Sequence, residues 1–226
     1  MKLSKRLTAI DTLISQHHDI IWDCCCDHGY LGMALLKRAA ASQVIFVDIV
    51  ATLMNDLEAQ LSSINKLQKT CDKNPQWQVL CQDVGKIEIA QSKSQVVVIA
   101  GVGGELLLSL VQQIIANNAV EHLNNVRFIL CPVHHTYKLR VGLKQLGLGL
   151  ISEQIVYDNK RFYEVIEVSF STNNEISHTG NKMWDFASTE HTMYQRQLIN
   201  HYNKMLNKDK PYYQKVITDY QELTDS

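Results

Sequence analysis

The sequence has no run approaching the ~18 consecutive apolar residues that a membrane-spanning helix needs. Lys5, Arg6 and Asp11 interrupt its first stretch, which removes the apolar core a secretory signal requires. It lacks spaced cysteine pairs: of 6 cysteines, three are the consecutive Cys24-Cys25-Cys26, a poor disulfide framework. These absences point to the reducing cytoplasm. A charge surplus is missing as well. With 22 Lys and Arg against 23 Asp and Glu, the formal net charge is −1, so a nucleic-acid partner would have to be met by a local basic patch. No internal repeat is evident. The three-glycine fingerprint of dinucleotide binding is not found after the first strand, where Gly29 and Gly32 stand among acids, and this argues against NAD or FAD.

What is present suits one sizeable globular domain with a small appendage: 226 residues, 46% hydrophobic and 20% charged. Leu3, Leu7, Ile10, Leu13 and Ile14 recur at helical spacing, so residues 3–16 read as an amphipathic helix. Strands are then predicted at Ile20–Cys24, Gln43–Asp48, Trp77–Cys81, Val96–Ala100 and Arg127–Cys131. Helices are predicted between and after them at Gly29–Ala40, Ala51–Lys69, Gly103–Asn117 and Tyr137–Leu146. Such alternation implies an α/β fold with parallel pairing. The apolar run over 96–100 fits a central strand buried on both faces. Leu150–Tyr157 and Phe162–Phe170, joined by Asp158-Asn159-Lys160-Arg161, read as an antiparallel hairpin, which brings the strand count to seven.

Residues 171–182 are polar and turn-rich, as in a linker. Beyond them, apolar positions from Met193 to Leu206 and from Tyr213 to Leu223 flank Pro211, as in a helical hairpin. With Lys204, Lys208, Lys210 and Lys215 on it, this appendage reads as a substrate-contacting module, the alternative being a cap on the core.

The chemistry concentrates at the ends of the strands. Ile20–Met33 has the form of a strand, a tight acidic turn and a helix start. In a doubly wound sheet the first such loop lies under the ligand. Asp23 could meet an ammonium and the helix start at Gly29 a carboxylate; both acids, Asp23 and Asp27, could instead simply cap the helix. Asp48 ends the second strand about 20 residues later, where a carboxylate can accept from ribose hydroxyls. Gln82-Asp83 follows the third strand, suited either to an adenine amino group or to a turn. Ala100-Gly101-Val102-Gly103-Gly104 follows the fourth and permits close backbone approach. Together these point to a nucleoside ligand with a cationic centre, S-adenosyl-L-methionine. The cysteines lack the spaced pairs of a zinc site, Cys71 and Cys81 included, so no metal is expected. The pairs His17-His18 and His134-His135 read as loop or surface residues.

The order of L-S-K-R-L (3–7), D-x-x-x-D-H-x-Y-L (23–31), Asp48, A-G-x-G-G (100–104) and F-Y-E-V-I (162–166) resembles the bacterial tRNA (adenine(22)-N1)-methyltransferase family, TrmK, over about residues 1–170. The resemblance implies a Rossmann-like class I methyltransferase domain over 1–170. It also implies a coiled-coil-like helical extension over 183–226, methylation of adenine N1 at tRNA position 22, and tRNA as partner; the sequence leaves the oligomeric state open, with a monomer favoured. It implies a cofactor set of Arg6, Asp23, His28, Gly29, Asp48, Gln82, Asp83, Ala100, Gly101 and Gly103. Asp27, then His28, are the groups to stabilise the cationic product or take its proton, with Tyr30 placed to hold the base. Lys5, Arg6, Lys138, Arg140, Lys160 and Arg161 are the expected phosphate contacts. Two departures stand out. Cys24-Cys25-Cys26 replaces the family's Gly-Ser and is expected to crowd the cofactor, and Cys131-Pro132-Val133 replaces its Q-P-N, leaving His134 or His135 to supply the polar group. Competing readings are a methyltransferase for another RNA, a protein or a small molecule, and a catalytically weakened RNA-binding protein of the same fold.

Overall fold

The computed structural model describes residues 2–67, 76–91 and 93–223, with backbone only at 64–67. Cys71 and the expected helix end at Lys69 lie outside the described residues. Seven strands form one sheet: β1 (His18–Cys24), β2 (Ala41–Asp48), β3 (Gln76–Cys81), β4 (Gln95–Ala100), β5 (Val126–Cys131), β6 (Gly149–Asp158) and β7 (Arg161–Ser169). Their spatial order is β3-β2-β1-β4-β5-β7-β6. The first five run parallel, and β7 pairs antiparallel with both β5 and β6.

Helices α1 (Lys5–Leu13), α2 (Tyr30–Lys37), α3 (Ala51–Leu67), α4 (Gly104–Asn117), α5 (Val120–Leu123) and α6 (Thr136–Gln145) surround the sheet. The central strands are apolar along their length because both faces are covered. Ile20, Trp22, Ile45, Val47, Val97 and Ile99 share one core with Leu107 and Val111 of α4 and Leu139 and Leu143 of α6. The alternate residues Ile21, Val44, Phe46, Val96 and Val98 share the other with Ile10 of α1, Leu31 and Leu35 of α2, and Met54 and Leu57 of α3. The alternation follows from the two-residue period of a strand.

Local chemistry sets the ends. The Ser4 hydroxyl accepts from the Leu7 N–H at 3.3 Å and starts α1 two residues later than the apolar spacing suggested. Gly29, at φ 66°, and Ala39, at φ 51°, lie in the left-handed region and bound α2 within the expected 29–40. The hairpin turns through Asn159 and Lys160, both left-handed (φ 49° and 63°), the conformation for which Asn-Gly is favoured. Lys160→Gly is therefore expected to raise the unfolding free energy by about 0.5 kcal/mol. Urea denaturation checks this, and an unchanged or lowered midpoint refutes it.

Two further helices, α7 (Thr189–Met205) and α8 (Lys210–Gln221), form the expected hairpin. Pro211 lies in the first turn of α8, where it costs no hydrogen bond, and the Asp209 carboxylate accepts from the Tyr212 N–H at 3.2 Å. The pair rests on α6 and the β6–β7 hairpin through an aromatic core of Tyr137, Trp184, Tyr194, Tyr202 and Tyr220. The stretch from 171 to 188 is less of a linker than its composition suggested. Ile176 and Met183 are buried, and the Trp184 indole N–H donates to the Thr179 carbonyl at 2.9 Å.

Candidate functional site

Strand order reverses between β1 and β4, and in such sheets ligands bind beyond the carboxyl ends of the strands at that point. Asp23, Asp48 and the 100–104 loop converge there. Asp23 is the penultimate residue of β1 and is almost wholly buried (4% exposed). Its Oδ2 accepts from the Gly32 N–H at 2.8 Å. Burial lifts its carboxyl to about 7; the Gly32 N–H opposes the shift and the Asp48 charge adds to it. Gly32 is required by contact: a Cβ there would lie 2.2 Å from Phe46 Cε1 and 2.9 Å from Asp23 Oδ2.

The loop after β1 curls tightly, with Cys25 (φ 53°), Asp27 (φ 51°) and Gly29 all left-handed. A non-glycine residue in that region carries strain of order 1 kcal/mol, the kind of cost that gathers at functional sites. Cys24 and Cys25 pack on one core and Cys26 on the other, so the thiols turn into the protein. Burial raises all three, Cys25 to about 12, leaving them protonated and poor nucleophiles at neutral pH.

Asp48 organises this loop. Its Oδ2 accepts from the Asp27 N–H at 3.2 Å and its Oδ1 from the Val50 N–H at 3.1 Å, while its carbonyl accepts from the Gln82 N–H at 3.0 Å. Each carboxylate oxygen keeps a lone pair for a further donor. Asp83 does serve a turn: Oδ1 accepts from the Gly85 N–H at 2.9 Å and caps the 3-10 turn Val84–Lys86, leaving Oδ2 without a hydrogen bond among the described residues. Asp27 and His28 are exposed on the rim, with His28 Nε2 3.6 Å from Asp27 Oδ1. The His28 ring stacks on Tyr30 at 5.5 Å, and Tyr30 is exposed.

Arg6 reaches the glycine loop from α1. Its guanidinium lies 5.0 Å from the Tyr163 ring centroid and borders Gly101, where a Cβ would be 3.8 Å from its Nη1. Gly101 has φ 89°. On the other side, the Val133 N–H donates to the Val102 carbonyl and the Gly104 N–H to the His134 carbonyl, both at 2.9 Å. The loops after β4 and β5 are thereby tied together, and the exposed His134 ring lies over Gly103.

Lys5, Lys160 and Arg161 are exposed, and the Arg6 N–H donates to Asp158 at 3.2 Å, joining the start of α1 to the hairpin turn. Lys138 is exposed but paired with Glu105 at 2.6 Å. Arg140 corrects the expectation of a phosphate contact. It has no exposed surface and lies between Glu153 (2.6 Å) and Glu164 (2.8 Å), out of reach of any polyanion. The helical spacing of α6 could have flagged it, since Arg140 falls between the buried Tyr137 and Leu143; the carboxylates it meets come from the hairpin and were not foreseen. Among the described residues no group of three or more His, Cys, Asp or Glu could hold a metal, and no helix is long and apolar enough to cross a membrane.

Comparison with known proteins agrees with this geometry. A family model described as a methyltransferase domain matches residues 3–166. A Mycoplasma genitalium protein put forward as a tRNA methyltransferase is 21% identical over 215 residues, covering 92% of this chain and 88% of that protein. Among solved structures, a Streptococcus pneumoniae protein put forward as a tRNA (m1A22) methyltransferase, in complex with S-adenosyl-L-methionine, superposes with a TM-score of 0.75. It has 21% identity and covers 98% of this chain and 99% of its own. M. capricolum TrmK, in complex with S-adenosyl-homocysteine, superposes at 0.73 with 18% identity, covering 98% and 97%.

Proposed function

The chain belongs to the methyltransferase-domain family, and on that premise we propose that it transfers a methyl group from S-adenosyl-L-methionine to N1 of adenine 22 in tRNA. The observation that carries the cofactor reading is the buried Asp23 carboxylate. Among the described residues it has one hydrogen bond from protein, and it carries a cost of ionisation that a cationic ligand group would offset. In this reading Asp23 meets the ammonium of the methionine end. Backbone N–H groups where α2 begins suit its carboxylate, Asp48 accepts from the ribose hydroxyls, and Gln82 and Asp83 face the adenine. Arg6, Ala100, Gly101 and Gly103 wall the methyl side. The likeness to relatives named for tRNA supports the substrate.

When bound, S-adenosyl-L-methionine supplies an electrophilic methyl carbon on a sulfonium. Adenine N1 has its own lone pair, so the protein's task is largely alignment. Once N1 carries the methyl the base is cationic, and Asp27 beside His28 on the rim would stabilise that charge or take the exocyclic proton. Tyr30 is exposed beside them, suited to stack on an unstacked base. The division into a catalytic domain over 1–170 and an extension over 183–226 belongs to the same reading. A groove of about 460 Å³ along α7, lined by Met193, Arg196, Gln197, Asn200, His201 and Lys204, offers cations to the RNA backbone.

The test is methyl transfer to unmodified tRNA with mapping of the modified nucleotide. Methylation at adenine 22 is expected; a different nucleotide, or none, rejects the substrate. Asp48→Ala is expected to weaken S-adenosyl-L-methionine binding at least tenfold by calorimetry. Unchanged affinity removes the ribose role.

A further inference from the structure

We propose that His134 reads the target base, accepting a hydrogen bond from the exocyclic amine of adenine. This rests on the methyl-transfer reading above and adds the residue that recognises its substrate. Three features converge on His134. A Cβ on Gly103 would lie 2.4 Å from its Cε1 and 3.0 Å from its Nε2, so the imidazole roofs the glycine loop at the side from which a base must approach the methyl. Its backbone is fixed there, because the His134 carbonyl accepts the Gly104 N–H at 2.9 Å. Its ring nitrogens have no hydrogen-bond partner among the described residues; its ring contact is edge-on to His135, with centroids 4.3 Å apart. His135 is placed differently, its Nδ1 turned inward and without a hydrogen-bond partner among the described residues. It is left-handed (φ 60°), only partly exposed, and 3.8 Å from Glu105.

The chemistry selects the role. A base that turns N1 towards the methyl presents its neighbouring exocyclic group to the same wall. In adenine that group is an amine donor and N1 an acceptor; in guanine the two are an oxygen acceptor and an N–H donor. A neutral imidazole nitrogen accepts from the amine. A purine without the amine would leave that nitrogen unpaired, the kind of loss by which a site built around a hydrogen bond rejects an analogue lacking it.

The experiment is a double-mutant cycle. Wild type and His134→Ala are each given tRNA transcripts with adenosine or purine riboside at position 22, and both the dissociation constant without cofactor and the single-turnover rate are measured. Purine riboside keeps N1 and lacks the amine; its altered N1 reactivity is common to both proteins and cancels in the cycle. Wild type is expected to lose at least tenfold on purine riboside beyond that common factor. His134→Ala should lose a similar amount on adenosine and nothing further on purine riboside. His134→Gln, whose side-chain oxygen also accepts, should recover most of the rate. Additive losses, or an unaffected His134→Ala, overturn the inference. If His134→Ala fails to bind S-adenosyl-L-methionine, the cycle is run with His134→Gln against His134→Lys, which offers only donors; equal rates for these two on adenosine overturn it as well. A wild type that binds S-adenosyl-L-methionine yet leaves the adenosine transcript unmethylated overturns the function reading itself. A wild type that methylates it with additive losses overturns this inference alone.

Discussion

Arg140→Met is expected to lower the unfolding free energy by about 3–5 kcal/mol, the cost of leaving buried carboxylates without their counter-charge. The side chain of Arg140 is inaccessible, as are those of Glu153 and Glu164 to within 1%. Burial works against the guanidinium charge, and Glu164 and Glu153 more than offset it. Glu164 has a second donor, the Tyr194 hydroxyl of α7 at 2.9 Å. Arg140 also approaches the Ser177 carbonyl at 3.4 Å and the Met183 sulfur at 3.5 Å, so the same guanidinium ties α6, the hairpin and the strap leading to α7. Tyr194→Phe removes one hydrogen bond and should cost only about 1–2 kcal/mol. Urea unfolding of the two variants tests the ranking. A loss below about 1 kcal/mol for Arg140→Met would mean that water reaches these carboxylates, contrary to the burial on which the prediction stands.

Asp23→Asn is expected to flatten two pH dependences at once. In the folded protein the Asp23 carboxyl sits near 7 instead of 3.8, so between those values the native state holds a proton that the unfolded chain releases. Stability should therefore be highest on the acid side, fall as pH rises from about 4 to about 7, and level off above, the full penalty being roughly 4 kcal/mol. The asparagine variant keeps an acceptor for the Gly32 N–H and carries no charge. It should be more stable than wild type at pH 8 and match it near pH 4, in the absence of ligand. Parallel unfolding curves at the two pH values would refute the buried charge. Cofactor affinity should run the other way. If the carboxylate meets an ammonium, wild-type affinity rises up to tenfold per pH unit towards 7 and then levels, with proton uptake or release seen by calorimetry in two buffers. Asp23→Asn should bind weakly and with little pH dependence.

Much of the architecture was legible because it is written in short periods. The apolar runs of β1, β2, β4 and β5, the helical spacing of α4 and the 158–161 turn are local patterns, and the structure reproduces them to within a few residues. The strand-end acids and the 100–104 glycines were legible for the same reason, since strand polarity alone puts every loop after a parallel strand at one edge of the sheet. The tRNA resemblance rested on five such fragments in order.

What stayed hidden depends on residues far apart in sequence. Arg140 looked like a surface cation because its neighbours Lys138 and Lys144 are exposed; only the return of the hairpin and the 177–183 strap makes its position an interior one. Arg6 and Gly101 lie far apart in sequence and meet because α1 lies near the β6–β7 hairpin, where Tyr163 carries the guanidinium. His134 and Gly103 meet because β4 and β5 are neighbours. The sequence by itself determined the elements, their order and the edge where the chemistry gathers, since those follow from backbone periodicity and strand direction. Tertiary structure alone decided which charges are buried, which are left without a protein partner and which side chains meet across the glycine loop. Burial and partnership are properties of surfaces that exist only once distant segments are packed.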